Sequence, residues 1–271
     1  MRKIAVINDI HCNYYLLKRI FNFLANEHIT DYIICGDSIT DGVDNNIVLD
    51  ELRKLNPIII KGNREDEVIN YNGRDWENNP QFAMMKYTYD TLTEENKNYI
   101  KSMPMNKIIT IEDIKICISH GSPYYIRELV KSDDYSLFDK LIENFNSDIY
   151  LFAHTHKAFY TKYKNKLFIN VGALLPSCNK PSVTFGIIEI KNKEIWYSQI
   201  NLKYNFSELK NYYLNSLMYK ISPEWSNIII YNYKTGIDYY NDFANYMKKQ
   251  NDLTWKDGFK KYMQEKGLDI Y

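Results

Sequence analysis

Three times within the first part of the chain, a short apolar run gives way to polar residues. Ile4 to Ile7 leads into Asn8-Asp9-Ile10-His11, Tyr32 to Cys35 into Gly36-Asp37, and Ile58-Ile59-Ile60 into Gly62-Asn63-Arg64. Runs this short and this apolar suit strands that are covered on both faces. Between the first two, Leu16, Leu17, Ile20, Phe21 and Leu24 recur at three- and four-residue spacing, which predicts a helix over Tyr14 to Ala25 with one apolar face. A second amphipathic segment, Ile47 to Leu55, ends before Pro57. Strand, polar turn, helix, strand is the pattern of a layered α/β fold, and such folds bind ligands just beyond the carboxyl ends of their strands.

Residues 65 to 107 are less regular, with a helical piece near Thr93 to Met103 that Pro104 stops. Ile108 to Ile111 and Ile114 to Ser119 flank Glu112-Asp113 as a hairpin, and the second of them delivers His120-Gly121. After a helix near Ser136 to Phe145, Ile149 to Phe152 is another buried run and delivers Ala153-His154-Thr155-His156. Ala158 to Tyr163, Ser182 to Ile190 and Ile195 to Leu202 are strand-like and suggest an antiparallel second sheet. From Ser207 onward helical signals take over: Ser222-Pro223-Glu224 has the form of a helix start, and Gly236 and Gly267 stand where helices would end. The expected organisation is a main domain over residues 1–203 and a helical extension over 204–271 packed on it.

Charge narrows the partners. Lys plus Arg equals Asp plus Glu at 34 each, so no global field calls for a nucleic-acid duplex or an anionic membrane. Cys12, Cys35, Cys117 and Cys178 show no Cys-x-x-Cys spacing and read as reduced thiols. The N-terminal apolar run is too short for a signal peptide and no stretch is long enough to span a membrane, so the expected location is the cytoplasm. The 25 tyrosines are read mainly as a compositional bias toward packing residues.

Chemistry gathers at the strand ends. Asp9, His11, Asp37, Asn63, His120, His154 and His156 all follow apolar runs, and of the 5 histidines only His28 lies elsewhere. Mixed nitrogen and oxygen donors suit Mn, Fe or Zn better than Ca or Mg, with Mn favoured. Seven donors exceed one tetrahedral zinc and fit two ions joined by a bridging carboxylate. Two such ions, about 3.5–4 Å apart, polarise a water and stabilise both the attacking and the leaving oxygen of a phosphoryl group. Two divalent ions against two carboxylates and a hydroxide leave net positive charge, which favours a phosphate anion.

Asp9-x-His11, Gly36-Asp37, Gly62-Asn63, His120-Gly121 and Ala153-His154-x-His156 together resemble the ordered motifs of the calcineurin-like metallophosphoesterases, over roughly residues 1 to 200. The resemblance implies a first metal held by Asp9, His11, Asp37 and His156, and a second held by Asp37, Asn63, His120 and His154, with Asp37 as the bridge. It also implies an α/β fold, a two-sheet β-sandwich flanked by helices in four α/β/β/α layers, and in-line attack by a metal-bridging hydroxide. Asp37, Asn63, Arg64 and His120 become the candidate catalytic residues.

Many members of that family follow Gly-Asn with a histidine, whereas this chain has Arg64. Arginine holds its proton across the physiological range, so it neutralises phosphoryl charge rather than acting as an acid. The expected substrates therefore have leaving groups that depart without strong protonation, such as a nucleotide or phenolic oxygen. Arg64, Arg74, Trp76, Tyr124 and Arg127 are the candidate substrate contacts, as arginine–phosphate and aromatic–base pairs would suit a nucleotide-like ligand. The expected function is a two-metal phosphodiesterase or dinucleoside polyphosphate hydrolase. Its rivals are a phosphoprotein phosphatase and a non-catalytic scaffold that keeps the fold. The helical extension has two candidate roles, capping the cleft or building a homo-oligomer interface.

Overall fold

The computed structural model of the chain describes residues 1–73, 79–176, 181–250 and 253–271. The order begins β1 (Arg2–Ile7), α1 (Tyr14–Asn26), β2 (Asp31–Ile34), α2 (Asn45–Leu55), β3 (Ile58–Ile59) and α3 (Asn63–Ile69). It continues with α4 (Pro80–Thr91), α5 (Glu94–Ser102), β4 (Asn106–Ile111), β5 (Ile114–Ser119), α6 (Tyr135–Phe145) and β6 (Ile149–Phe152). Then come β7 (Phe159–Tyr163), β8 (Lys166–Asn170), β9 (Val183–Lys191) and β10 (Glu194–Leu202). The helices α7 (Phe206–Leu214), α8 (Leu217–Ile221), α9 (Pro223–Thr235), α10 (Tyr239–Met247) and α11 (Trp255–Glu265) close the chain.

The strands form two mixed five-stranded sheets, ordered β10-β9-β1-β2-β3 and β4-β5-β6-β8-β7. Strand alternation explains why the runs are apolar throughout. Ile4 and Val6 of β1 point between the sheets and pack with Ile33, Ile116, Ile118, Ile149 and Leu151. Ala5 and Ile7 point the other way, into a core with Leu16, Leu17, Ile20 and Leu24 of α1. On the far side, Tyr150 and Phe152 of β6 join Phe138 and Leu141 of α6 and Phe168 of β8, with the Tyr150 and Phe168 rings stacked at 4.7 Å. The result is the four-layer α/β/β/α sandwich.

Two readings of the sequence need correction. The strand-like runs of residues 158–202 do not make one antiparallel second sheet. β7 folds back onto β8, a strand the periodicity did not single out, and β8 lies parallel to β6 in the second sheet. β9 and β10 instead extend the first sheet, with β9 antiparallel to β1. A hairpin pattern specifies its own pairing but not the sheet edge that receives it. Residues 65–107, read as less regular, hold most of α3 and all of α4 as well as α5. Phe82, Met84, Met85, Tyr87 and Tyr89 fall on several sides of α4, so no apolar stripe marks it.

α9 is buried from Trp225 to Tyr233, which suits a helix surrounded by others. It packs against α4, α7, α8 and α10, and its apolar side chains belong to the same core as β1 and α1. Many of the tyrosines serve here as packing residues with satisfied hydroxyls: Tyr204 Oη donates to the Tyr233 carbonyl at 2.6 Å, and Tyr231 Oη to that of Asp269 at 3.0 Å. No helix among the described residues is long and apolar enough to cross a membrane.

Candidate metal centre

Asp9 and His11 follow β1, Asp37 follows β2, Asn63 opens α3, His120 follows β5, and His154 and His156 follow β6. Five of the seven have left-handed backbone: Asp9 at φ 47°, His11 at 48°, Asp37 at 51°, His154 at 64° and His156 at 57°. Such positions cost on the order of 1–3 kcal/mol each and persist only where surrounding structure dictates them, and they cluster at functional sites. Gly36 and Gly62 permit the closest approach. A Cβ on Gly36 would lie 2.3 Å from the Gly62 nitrogen, and one on Gly62 would lie 2.1 Å from Asp37 Oδ1.

The strand ends gather the donors into two groups, Asp9, His11 and His156 in one and Asp37, His120 and His154 in the other, each with its ligand atoms within 4.8 Å of one another. In the first, His11 Nε2 and His156 Nε2 are 3.2 Å apart, and Asp9 Oδ1 is 3.6 Å from His156 Nε2. Both Asp9 carboxylate oxygens are buried without a hydrogen-bond partner. Buried, unpartnered carboxylate oxygens are costly, and a cation is the partner that a mixed imidazole–carboxylate set fits. In the second group, His120 Nε2 lies 3.1 Å from Asn63 Oδ1 and 3.4 Å from Asp37 Oδ2. His120 Nδ1 is 2.8 Å from the Cys35 carbonyl, which places its proton there and turns Nε2 toward the group.

The family model for the calcineurin-like phosphoesterase superfamily domain matches residues 2–193. The chain belongs to that superfamily. A phosphodiesterase of Methanocaldococcus jannaschii is 24% identical over 204 residues, covering 74% of this chain and 99% of that protein. An uncharacterized protein of the same archaeon is 26% identical over 172 residues, covering 63% of this chain and 69% of its own length. The crystal structure of a metallophosphoesterase from Sphaerobacter thermophilus shares the fold at a TM-score of 0.71 and 19% identity, over 87% of this chain and 99% of that one. A hypothetical protein from Pyrococcus horikoshii OT3 does so at 0.73 and 17%, with the same coverage. Matches over 87% extend past residue 203, so part of the helical extension is common to these folds.

Several residues outside the predicted donor set hold these side chains in place. Glu65, fully buried, accepts from the backbone nitrogens of Asp37 (2.9 Å), Ser38 (2.6 Å) and Gly62 (2.8 Å), tying two motif loops together. Asn170 donates to the Ala153 carbonyl at 2.8 Å and to Thr155 Oγ1 at 3.1 Å, so Thr155 turns away from the histidines that flank it. Asn8 donates to the Phe152 carbonyl at 2.8 Å, linking the ends of β1 and β6. Asp41 and Trp225 line the cleft beside Arg64. The Cys12 thiol is buried, 2.7 Å from Asn45 Oδ1, and burial pushes its pKa well up, which keeps it unreactive.

The candidate substrate contacts separate. Arg64 and Arg127 line the cleft, and Arg127 pairs with Glu67. Arg64 is not a surface ion pair. It is 8% exposed, with Nη2 3.1 Å from Asp41 Oδ2 and Nη1 3.3 Å from Glu67 Oε2. Tyr124 points elsewhere: its hydroxyl donates to the Lys140 carbonyl at 3.1 Å, accepts from Asn144 at 2.7 Å, and its ring meets Phe145 of α6. Closeness to His120 in sequence did not set its direction. Arg74 and Trp76 lie outside the described residues.

Electrostatics make the cluster a proton store when no cation is present. Burial disfavours the His120 imidazolium, but the charge and hydrogen bond of Asp37, with Asp9, outweigh it and raise the pKa to about 9. Burial raises Asp9 to about 7. His154 is held down at about 4 by burial and by His120, so it is neutral at physiological pH. The His120 proton adds stability fully below its unfolded value of 6.5, and that stability is lost as pH rises through about 9. Because ligands bind cations in their deprotonated forms, cation loading near pH 7 is expected to release about one to two protons per chain. Calorimetric titration with Mn2+ in buffers of different ionisation enthalpy measures this, and a buffer-independent heat would contradict the assignment.

Proposed function

We propose that this phosphoesterase hydrolyses small phosphodiesters or nucleotide anhydrides of the dinucleoside polyphosphate type, with two divalent cations, Mn favoured. One would be held by Asp9, His11, Asp37 and His156, the other by Asp37, Asn63, His120 and His154, with Asp37 shared. The cations would supply Lewis acidity and an activated water. The observation that carries the small-substrate reading is the cleft itself. Its volume is about 580 Å³, and its walls combine His11, Asp37, Asn63, His154 and His156 with Trp225, Ile229 and Tyr240 of the helical extension. That volume is within the range of small-molecule sites, roughly 300–1,000 Å³. A helical wall over the metal side favours a compact phosphate ester over the surface of a folded phosphoprotein. The extension, residues 204–271, thus takes the capping role in this reading.

Arg64 is the chain's own contribution to transition-state charge. Burial works against its charge, but Asp41 and Asp37 outweigh that and raise its pKa further, so it stays cationic and donates no proton. Its guanidinium faces the cleft from a fixed position and would neutralise charge on a phosphoryl oxygen. Protonation of the leaving group is then left to solvent, which favours nucleotide and phenolic leaving groups. The buried free thiols Cys12, Cys35 and Cys117 support a reducing, cytoplasmic location.

The test is a substrate panel with Mn2+-loaded protein: an aryl phosphodiester, diadenosine tetraphosphate, an aryl phosphomonoester and a phosphopeptide. The diester or the dinucleotide is expected to be turned over at least about tenfold more efficiently than the other two. Preference for the phosphopeptide would replace this reading with a protein phosphatase.

A further inference from the structure

We infer that the C-terminal helices are joined to the metal centre through Trp225 and Asp41, and that Asp41 is a positioning residue for both His11 and Arg64. The inference rests on the two-cation reading above. Asp41 is 2% exposed and Trp225 1%, and they meet across 184 positions of sequence, with Trp225 Nε1 donating to Asp41 Oδ1 at 2.7 Å. The other carboxylate oxygen faces the site. Asp41 Oδ2 is 3.1 Å from Arg64 Nη2, 3.5 Å from His11 Nδ1 and 3.0 Å from Thr40 Oγ1.

A buried carboxylate persists only where charge and donors surround it. Here Arg64 supplies the charge, and the indole and the Thr40 hydroxyl supply neutral donors. The His11 contact is longer than a hydrogen bond, and Nδ1 has no other partner. A carboxylate at that distance still favours the tautomer protonated at Nδ1, which turns the Nε2 lone pair toward His156 and Asp9. Asp41 also has left-handed backbone, φ 59°, in a residue other than glycine, so the contacts of its side chain hold a strained turn in place.

The cap reaches Arg64 by a second route. Hydrogen bonding sets the Gln81 amide with its oxygen toward Arg64, where it accepts from both Nη atoms at 2.8 Å and from Tyr240 Oη at 2.8 Å. Tyr240 in turn meets the Trp225 ring edge-on, with centroids 4.8 Å apart. The helical extension thus sets the orientation of one metal ligand and of the cleft arginine, in addition to walling the cleft.

Trp225→Phe in the full chain keeps an aromatic ring, smaller than the indole, and deletes the N–H that reaches Asp41. Competition titration of Mn2+ against a chromophoric chelator is expected to show one of the two ions weakened by about tenfold or more and the other unchanged, since partners that orient a ligand carry about 10–100-fold of metal affinity. Asp41→Asn, nearly isosteric, should weaken the same ion further. At saturating Mn2+, kcat should stay below wild type through the loosened Arg64. A lower melting temperature with both affinities and kcat as in wild type would mean a structural role alone and overturn the inference. Wild-type protein that binds no divalent cation would sink the two-cation reading and this inference together. Two ions bound by wild type and held equally well by both variants would sink the inference alone.

Discussion

Asp37→Asn is expected to remove tight binding at the His120 group and at least a hundredfold of phosphodiester turnover while the fold survives. The side chain has two attachments. Oδ1 accepts from the Arg64 backbone nitrogen at 2.8 Å, and Oδ2 lies 3.4 Å from His120 Nε2. Asparagine keeps a carbonyl oxygen for the first and tolerates the left-handed backbone that Asp37 adopts at φ 51°. What it loses is the negative charge. Burial pushes the Asp37 pKa up, yet His120, His11 and Arg64 together pull it well below the ordinary carboxylate range, so the group is ionised at any working pH. Residues that merely orient a ligand carry about 10–100-fold of affinity or activity, and a ligand shared by two ions should carry more. Metal analysis and steady-state kinetics of the variant check this. Wild-type turnover would remove Asp37 from the chemistry.

Glu65→Ala is the largest expected effect on stability, a loss of at least about 3 kcal/mol, because burial leaves few replacements for three donors at about 1–3 kcal/mol each. The Asp37, Ser38 and Gly62 nitrogens all donate to this one carboxylate. Removing it orphans three buried N–H groups at the point where Gly36 and Gly62 approach most closely. It also releases the backbone that holds Asp37 left-handed. Glu65→Gln should lie between, since one carboxylate oxygen becomes an NH2 facing backbone donors. Denaturant unfolding measures the difference, and a change below about 1 kcal/mol would mean that the loops are held by other contacts.

The residues that the fold gathers into the two candidate metal-binding groups were legible in the sequence because histidine is scarce in this chain and because short apolar runs end where these polar residues sit. β1, β2, β5 and β6 carry apolar residues on both faces, and each delivers its polar residue at a definite strand end. The residues that fix those donors were not legible. Asp41 and Trp225 are partners only because α9 folds back over the first sheet, and Glu65 looks like an ordinary helix-opening acid until three backbone nitrogens are seen around it. β8 escaped notice for a local reason. Its turn, Lys164-Asn165, takes left-handed backbone at both positions, φ 46° and 59°, without a glycine to announce it. Tyr124 shows the opposite error, in which closeness along the chain to His120 stood in for direction in space, and α6 captured the ring.

A phosphodiesterase built on two cations held by these seven side chains requires both ions for turnover. Protein stripped with chelator and reconstituted with Mn2+ tests it most directly, by counting bound ions per chain while following hydrolysis of an aryl phosphodiester. Two ions per chain, with activity absent from the stripped protein and restored as the ions bind, is the predicted result. Hydrolysis that persists in metal-free protein, or two bound ions with no hydrolysis of any phosphodiester or dinucleoside polyphosphate, would contradict it.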